Sequence, residues 1–123
     1  MATILVIEDD DLHALYLKKA LEGSDYSVML AVDGNEGLRQ YKLHGADLII
    51  TDLIMPEKEG IETIQELVRL DPRVPIIAIS GGGGNQPDIY LEIASKLGAR
   101  RTFAKPYSTK ALLAAVQELI LQK

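Results

Sequence analysis

Glu8 and Asp9, Asp52, Ser80 and Lys105 are of types that could cooperate in one reaction. Each follows directly on a short strand-like run. Glu8 closes Thr3-Ile4-Leu5-Val6-Ile7, Asp52 closes Leu48-Ile49-Ile50-Thr51, Ser80 follows Pro75-Ile76-Ile77-Ala78-Ile79, and Lys105 follows Arg101-Thr102-Phe103-Ala104. Apolar runs of this kind suit parallel strands buried on both faces. Parallel strands bring their C-terminal ends to one edge, which is where open α/β sheets bind ligands. Carboxylates gathered there repel and raise one another's pKa, so a bound cation keeps them ionised. Hard oxygen donors with open water positions suit Mg²⁺, which takes one or two carboxylates plus a phosphate. In that setting Asp52 is a nucleophile toward phosphorus, the metal and the Lys105 ammonium neutralise the phosphoryl oxygens, and Ser80 donates a hydrogen bond. The product would be an aspartyl phosphate. Taken alone, Asp52 reads equally well as the cap of a turn leading to Pro56.

The elements that must position these groups follow from the alternation of patterns. Strands are predicted over residues 3–7, 26–31, 47–52, 75–79 and 101–104. Between them, helical spacing runs from about residue 10 to 22, with Ala14, Leu17 and Leu21 flanked by Leu12, Leu15 and Ala20, and Gly23 supplies a stop. A second helix through about His44 has a thin apolar set of Leu38, Tyr41 and Leu43 and carries Gly37 inside it. A third spans 57–70, with Ile61, Ile64, Leu67 and Val68 on one face and Asp71-Pro72 closing it. Tyr90, Ile93, Ala94 and Leu97 mark a fourth, ending at Gly98. Ser108 can cap the fifth, whose Leu112, Leu113, Val116, Leu119 and Ile120 keep the period to the end. Five strands alternating with five helices predict right-handed βαβ crossovers and a parallel sheet covered on both faces.

Composition bounds what such a chain can do. Its 123 residues fit one domain, 1–123, and 47% apolar with 25% charged residues is globular composition. No apolar run approaches the roughly 20 residues that span a bilayer, and no leader directs export, so a cytoplasmic location is expected. Without cysteine there are no disulfides or thiolate metal sites. A net charge of −5 argues against broad nucleic-acid binding, leaving Arg100-Arg101 as a local basic pair that is either solvated or touches a partner. Asp10 and Asp11 read as helix N-terminal acids. His13 and His44 read as surface residues, since nothing nearby in sequence completes a metal site. The run of glycines from Gly81 to Gly84 lacks the Gly-Lys-Ser/Thr of a phosphate-binding P-loop and reads as a mobile loop.

In their order and spacing, Ile-Glu-Asp-Asp after the first strand, Asp52-Leu53-Ile54-Met55-Pro56 with Gly60 beyond it, Ser80, and Lys105-Pro106 resemble the receiver domain of two-component response regulators. The resemblance covers essentially the whole chain. It implies a flavodoxin-like, doubly wound five-stranded sheet in the order 2-1-3-4-5 with five helices. It further implies that Asp52 takes phosphate from a histidine kinase or a histidine phosphotransfer protein. Asp9 and Asp52 would be direct Mg²⁺ ligands, Glu8 would act through metal-bound water, and the Ile54 carbonyl would complete the protein ligands. Ser80 would be the switch hydroxyl, Lys105 would pair with the phosphoryl group, and the Lys105-Pro106 bond would be cis.

Two departures stand out. Receiver domains usually carry an aromatic residue three positions before the lysine, and Thr102 stands there instead; strand alternation turns the neighbouring Phe103 to the opposite face, so the aromatic half of the switch is in doubt. The segment from Ser80 to Lys105 is also a few residues longer than usual, and Gly81 to Gly84 account for the excess. The leading reading is a stand-alone receiver acting through protein contacts on the face of the fourth helix, fifth strand and fifth helix. A receiver cut from a longer regulator or hybrid kinase is the second. An aspartyl-nucleophile phosphatase is the third, disfavoured because that chemistry needs an acid/base Asp where Ile54 stands.

Overall fold

The computed structural model describes residues 1–53, 60–81 and 89–122. In chain order the elements are β1 (Thr3–Ile7), α1 (Asp11–Glu22), β2 (Ser27–Ala31), α2 (Gly34–His44), β3 (Leu48–Asp52), α3 (Gly60–Leu70), β4 (Ile76–Ser80), α4 (Ile89–Leu97), β5 (Arg101–Ala104) and α5 (Thr109–Leu121). All strand pairs are parallel, as the alternation of elements predicts, and the order is β2-β1-β3-β4-β5, as the family resemblance implies.

Alternation along the strands divides the core into two layers. Ile4 and Val6, Leu48 and Ile50, Ile77 and Ile79 face α1 and α5, meeting Leu17, Leu21, Leu112, Val116 and Leu119. Leu5 and Ile7, Ile49, Ile76 and Ala78 face the other way, against Leu38 of α2, Ile64 and Leu67 of α3 and Ala94 of α4. The central strands are therefore apolar on both faces until their C-terminal ends, where Thr51, Asp52 and Ser80 are the buried polar residues. Each fully buried Leu or Ile contributes about 1.5–3 kcal/mol relative to exposure.

Helix starts follow side-chain capping. Asp10 accepts from the Leu12 and His13 amides, Asp33 from Glu36, and Ser108 from Ala111. Stops are less uniform. Gly23 stays right-handed at φ −64, and the left-handed turn residue after α1 is Asp25 at φ 70. Gly98 does end α4 with φ +127.

Several predicted apolar faces are narrower in the structure. Leu12, Leu15 and Leu43 are exposed (79%, 47% and 69%), because only one side of α1 and of α2 meets the sheet. Of α4, Ala94 alone is fully buried, and Ile89, Tyr90 and Ile93 stay accessible. Residues 57–59, predicted to begin the third helix, and Gly82 to Asn85 lie outside the described residues. The basic pair has partners: Arg101 forms a salt bridge with Glu118 at 3.3 Å, and Arg100 donates to the Arg73 carbonyl at 3.2 Å.

Candidate functional site

The register fixes which strand ends meet. Ile7 pairs with Thr51, so Glu8, the next residue, lies beside Asp52, and Asp52 in turn pairs with Ile79. Glu8 continues the Ile4-Val6 phase, Asp52 the Leu48-Ile50 phase, and Lys105 the phase of Phe103, which packs in the α1/α5 layer. Three charged groups thus emerge on one side of one edge. The Lys105 Nζ donates to Asp52 Oδ2 at 3.0 Å and stands 3.7 Å from Glu8 Oε1. Glu8, Asp9, Asp10, Asp52, Gly81 and Lys105 line an open cleft of about 300 Å³. Asp9 is exposed at its rim, whereas Glu8 and Asp52 are buried.

Ser80 is fully buried and is the last residue of β4 rather than the first beyond it. Its backbone carbonyl accepts from the Lys105 amide at 2.9 Å, tying β4 to the segment that carries the lysine. By alternation Ser80 shares a face with Thr102, whose strand partner is Ala78. Phe103 lies on the opposite face and makes an edge contact with Tyr107. The Lys105-Pro106 peptide is cis. Ile54 falls outside the described residues.

Sequence reasoning places His13 on the surface, and the structure corrects this. Its side chain is 14% exposed; Nδ1 hydrogen-bonds Glu8 Oε1, and Nε2 meets the Tyr107 hydroxyl at 2.7 Å. The reason is geometric. His13 is the third residue of α1 after its cap, and helical side chains lean toward the N-terminus, so it reaches back over the strand end that precedes its own helix. That position was the available signal for His13. Nothing in the sequence pointed to Tyr107, which follows the lysine in chain but contacts α1. His44 is exposed, as expected.

Burial pushes the Glu8 carboxyl above its ordinary value of 4.5, with the Asp52 charge adding and the His13 bond opposing. Burial would lower the Lys105 ammonium, but the Asp52 hydrogen bond and charge more than offset it and hold it above 10.5. Burial raises the Tyr107 hydroxyl to about 12, aided by Tyr16 and Glu8. A raised carboxyl pKa favours the protonated fold. The stabilisation linked to Glu8 is full below 4.5 and is lost as pH rises through the higher folded value. In EDTA, Glu8→Gln is therefore expected to raise Tm at neutral pH by a few degrees. It should also flatten the gain in Tm that the raised Glu8 carboxyl predicts for wild type on mild acidification. Parallel Tm-against-pH curves for the two proteins would exclude Glu8 as the source.

The carboxylates of Glu8 and Asp52, with Asp9 on the same cleft, are donors that fit a small hard cation, and a ring nitrogen of His13 lies within 4.8 Å of a ligand atom of each of the first two. Receiver domains bind Mg²⁺ at an acidic pocket of this kind.

A family model described as the response regulator receiver domain matches residues 4–117. The chain is 30% identical over 117 residues to the chemotaxis protein CheY of Thermotoga maritima, covering 94% of this chain and 95% of that protein. It is 32% identical over 109 residues to the transcriptional regulatory protein ZraR of Escherichia coli, covering 89% of this chain and only 23% of the relative. A receiver domain crystal structure from Clostridium thermocellum superposes with a TM-score of 0.90 at 30% identity, over 99% of this chain and 96% of that one.

Proposed function

Because the chain belongs to the response regulator receiver domain family of two-component signalling, we propose that Asp52 is its phosphoacceptor, with Lys105 and Ser80 as its partners in transfer. One observation carries the reading: the Lys105 ammonium bonded to Asp52 and facing Glu8 at the strand-end cleft. An Asp52 carboxylate oxygen bonds to phosphorus as the bond from phosphorus to the donor breaks. The electron pair leaves with the donor, an imidazole when the donor is a phosphohistidine, and solvent supplies its proton. Water attacking the acyl phosphate restores Asp52. Lys105 neutralises charge on the phosphoryl oxygens as it moves off the carboxylate. Glu8, Asp9, Asp52 and, by the family pattern, the Ile54 carbonyl would hold Mg²⁺, which supplies further neutralisation. Ser80 and Thr102, on one sheet face, form the switch pair, with threonine in place of the usual aromatic ring.

Receiver domains are signalling modules rather than classical enzymes, and they interact with histidine kinases or phosphotransfer proteins. For this chain the donor is one of these, in the cytoplasm, and the output is a protein contact. The accessible Ile89, Tyr90 and Ile93 on α4 support an output face built from α4, β5 and α5. Among the described residues no helix is long and apolar enough to cross a membrane. The relatives differ in extent, since the chain spans 95% of one and 23% of another, so a receiver within a longer regulator is equally supported.

Incubation with a small acyl phosphate and Mg²⁺ should add one phosphoryl group by intact mass, labile to hydroxylamine as an acyl phosphate must be, and EDTA should suppress it. No adduct, or an adduct stable to hydroxylamine, would overturn the assignment.

A further inference from the structure

His13 lines the pocket beside the acidic cleft, with Lys105 and Tyr107, and four facts tie it to Glu8. It is the third residue of α1, the helix that follows Glu8, its side chain is largely buried, Nδ1 is turned to Glu8, and Nε2 meets the Tyr107 hydroxyl. Ligating histidines have that arrangement: one ring nitrogen at the metal and the other fixed by a hydrogen-bond partner that orients the ring and sets the tautomer. The Tyr107 hydroxyl can serve either tautomer, because it both donates and accepts. In the tautomer with the proton on Nδ1, that nitrogen donates to Glu8 and the Tyr107 hydroxyl donates to Nε2. In the other tautomer, with the proton on Nε2, that nitrogen would donate to the Tyr107 oxygen and the Nδ1 lone pair would be left to hold a metal. No net proton is gained or lost.

We propose that His13 is a direct metal ligand, making this a mixed nitrogen-oxygen site that takes a borderline divalent transition ion of the Zn²⁺ class with selectivity an all-oxygen receiver site lacks. Imidazole suits Zn²⁺, Ni²⁺ and Fe²⁺, whereas carboxylates, carbonyls and water suit Mg²⁺. The Glu8, His13 and Asp52 donor atoms lie within 4.8 Å of one another, a span that small side-chain rotations close around one ion with bonds of about 2 Å. Lys105, 3.0 Å from Asp52, stays available to the phosphoryl group. The inference rests on Asp52 and Glu8 forming the metal site.

Isothermal titration of tag-free protein with Zn²⁺ and separately with Mg²⁺ tests it, using wild type, His13→Gln, Tyr107→Phe and Asp52→Asn, each checked for folding by circular dichroism. Any oxygen site favours Zn²⁺ somewhat, so the informative quantity is how each variant changes the Zn²⁺ to Mg²⁺ ratio. His13→Gln is expected to weaken Zn²⁺ at least about tenfold and leave Mg²⁺ within about threefold, and Tyr107→Phe to weaken Zn²⁺ roughly tenfold through loss of the orienting bond. Co²⁺ as a visible stand-in should change its absorption spectrum on His13→Gln. Equal loss of both ions would reduce His13 to a residue that positions Glu8, and unchanged Zn²⁺ affinity would remove it from the site; either overturns the proposal. Failure of the underlying site is separately visible, as Mg²⁺ affinity that survives in Asp52→Asn.

Discussion

Asp52→Asn protein given a small acyl phosphate and Mg²⁺ is expected to take up no phosphoryl group, a fall in rate on the order of 10⁴-fold or more for removal of a nucleophile. The amide keeps the shape of the carboxylate, so the ends of β3 and β4 should stay paired through Asp52 and Ile79, and circular dichroism should not change. What the amide lacks is an anionic oxygen to attack phosphorus. It also withdraws the charge that Lys105 answers at 3.0 Å and one carboxylate from the Mg²⁺ donor set, so affinity for Mg²⁺ should fall as well. The metal-free fold should lose little, because the substitution also ends the repulsion between Asp52 and the buried Glu8. Intact mass over a time course, with a peptide map of any residual adduct, provides the measurement. An adduct at wild-type rate, on Asp9 or Ser80 for example, would show that the cleft has another acceptor.

The parts of the site legible in the sequence were those written along a single strand. Asp52 and Glu8 could be placed on one edge because unbroken apolar runs led up to them, and the parity of those runs put Phe103 and Thr102 on opposite faces. Ser80 was placed at the right edge but one residue too late, as strand ends are weakly marked where no turn residue intervenes. Contacts between elements were not legible. The same apolar count that suggested a wide face on α1 included Leu12 and Leu15, because periodicity shows which residues share a side but not how much of that side a neighbour covers. Gly37 looked like a weakness in α2. In the structure a Cβ there would come within 2.4 Å of Ile7 Cδ1, so the glycine lets the helix lie close on β1, a contact between residues thirty apart in sequence. His13 was missed for a related reason: its partner Tyr107 is separated from it by most of the chain, and only the fold joins them.

Gly60 was legible as part of a motif but without a cause, and its replacement by Ala is expected to be the most damaging single-methyl change near the site. A Cβ at Gly60 would stand 2.2 Å from the Asp52 carbonyl oxygen, 2.5 Å from Leu53 Cα and 3.0 Å from the Asp52 carbonyl carbon. These are backbone atoms of the strand end that carries the nucleophile, and no rotamer change relieves the overlap. Meanwhile the Gly60 amide donates to the Leu53 carbonyl at 3.0 Å, which holds the start of α3 against that strand end. Either α3 retreats and this bond lengthens, or the Asp52 peptide moves. Ala would gain at most about 1 kcal/mol of helix propensity. Overpacking costs about 1–3 kcal/mol even where side chains can shift, and more is expected against fixed backbone. A net loss of about 2–4 kcal/mol would be a large share of the roughly 5–15 kcal/mol that stabilises a domain. At about 4 °C per kcal/mol, Tm should fall by roughly 8–16 °C. Phosphoryl uptake per folded molecule should fall as well, on the order of 10²-fold if Asp52 is displaced by about 1 Å. Gly37→Ala is the comparison: its Cβ would press on Ile7 Cδ1 at 2.4 Å and Cγ1 at 2.7 Å, a buried side chain rather than backbone, so Tm should fall there too while Asp52 is untouched and uptake per folded molecule holds. A Gly60→Ala protein with wild-type Tm and uptake would mean that α3 moves away from β3 at no cost, and that its close approach does not position the acceptor.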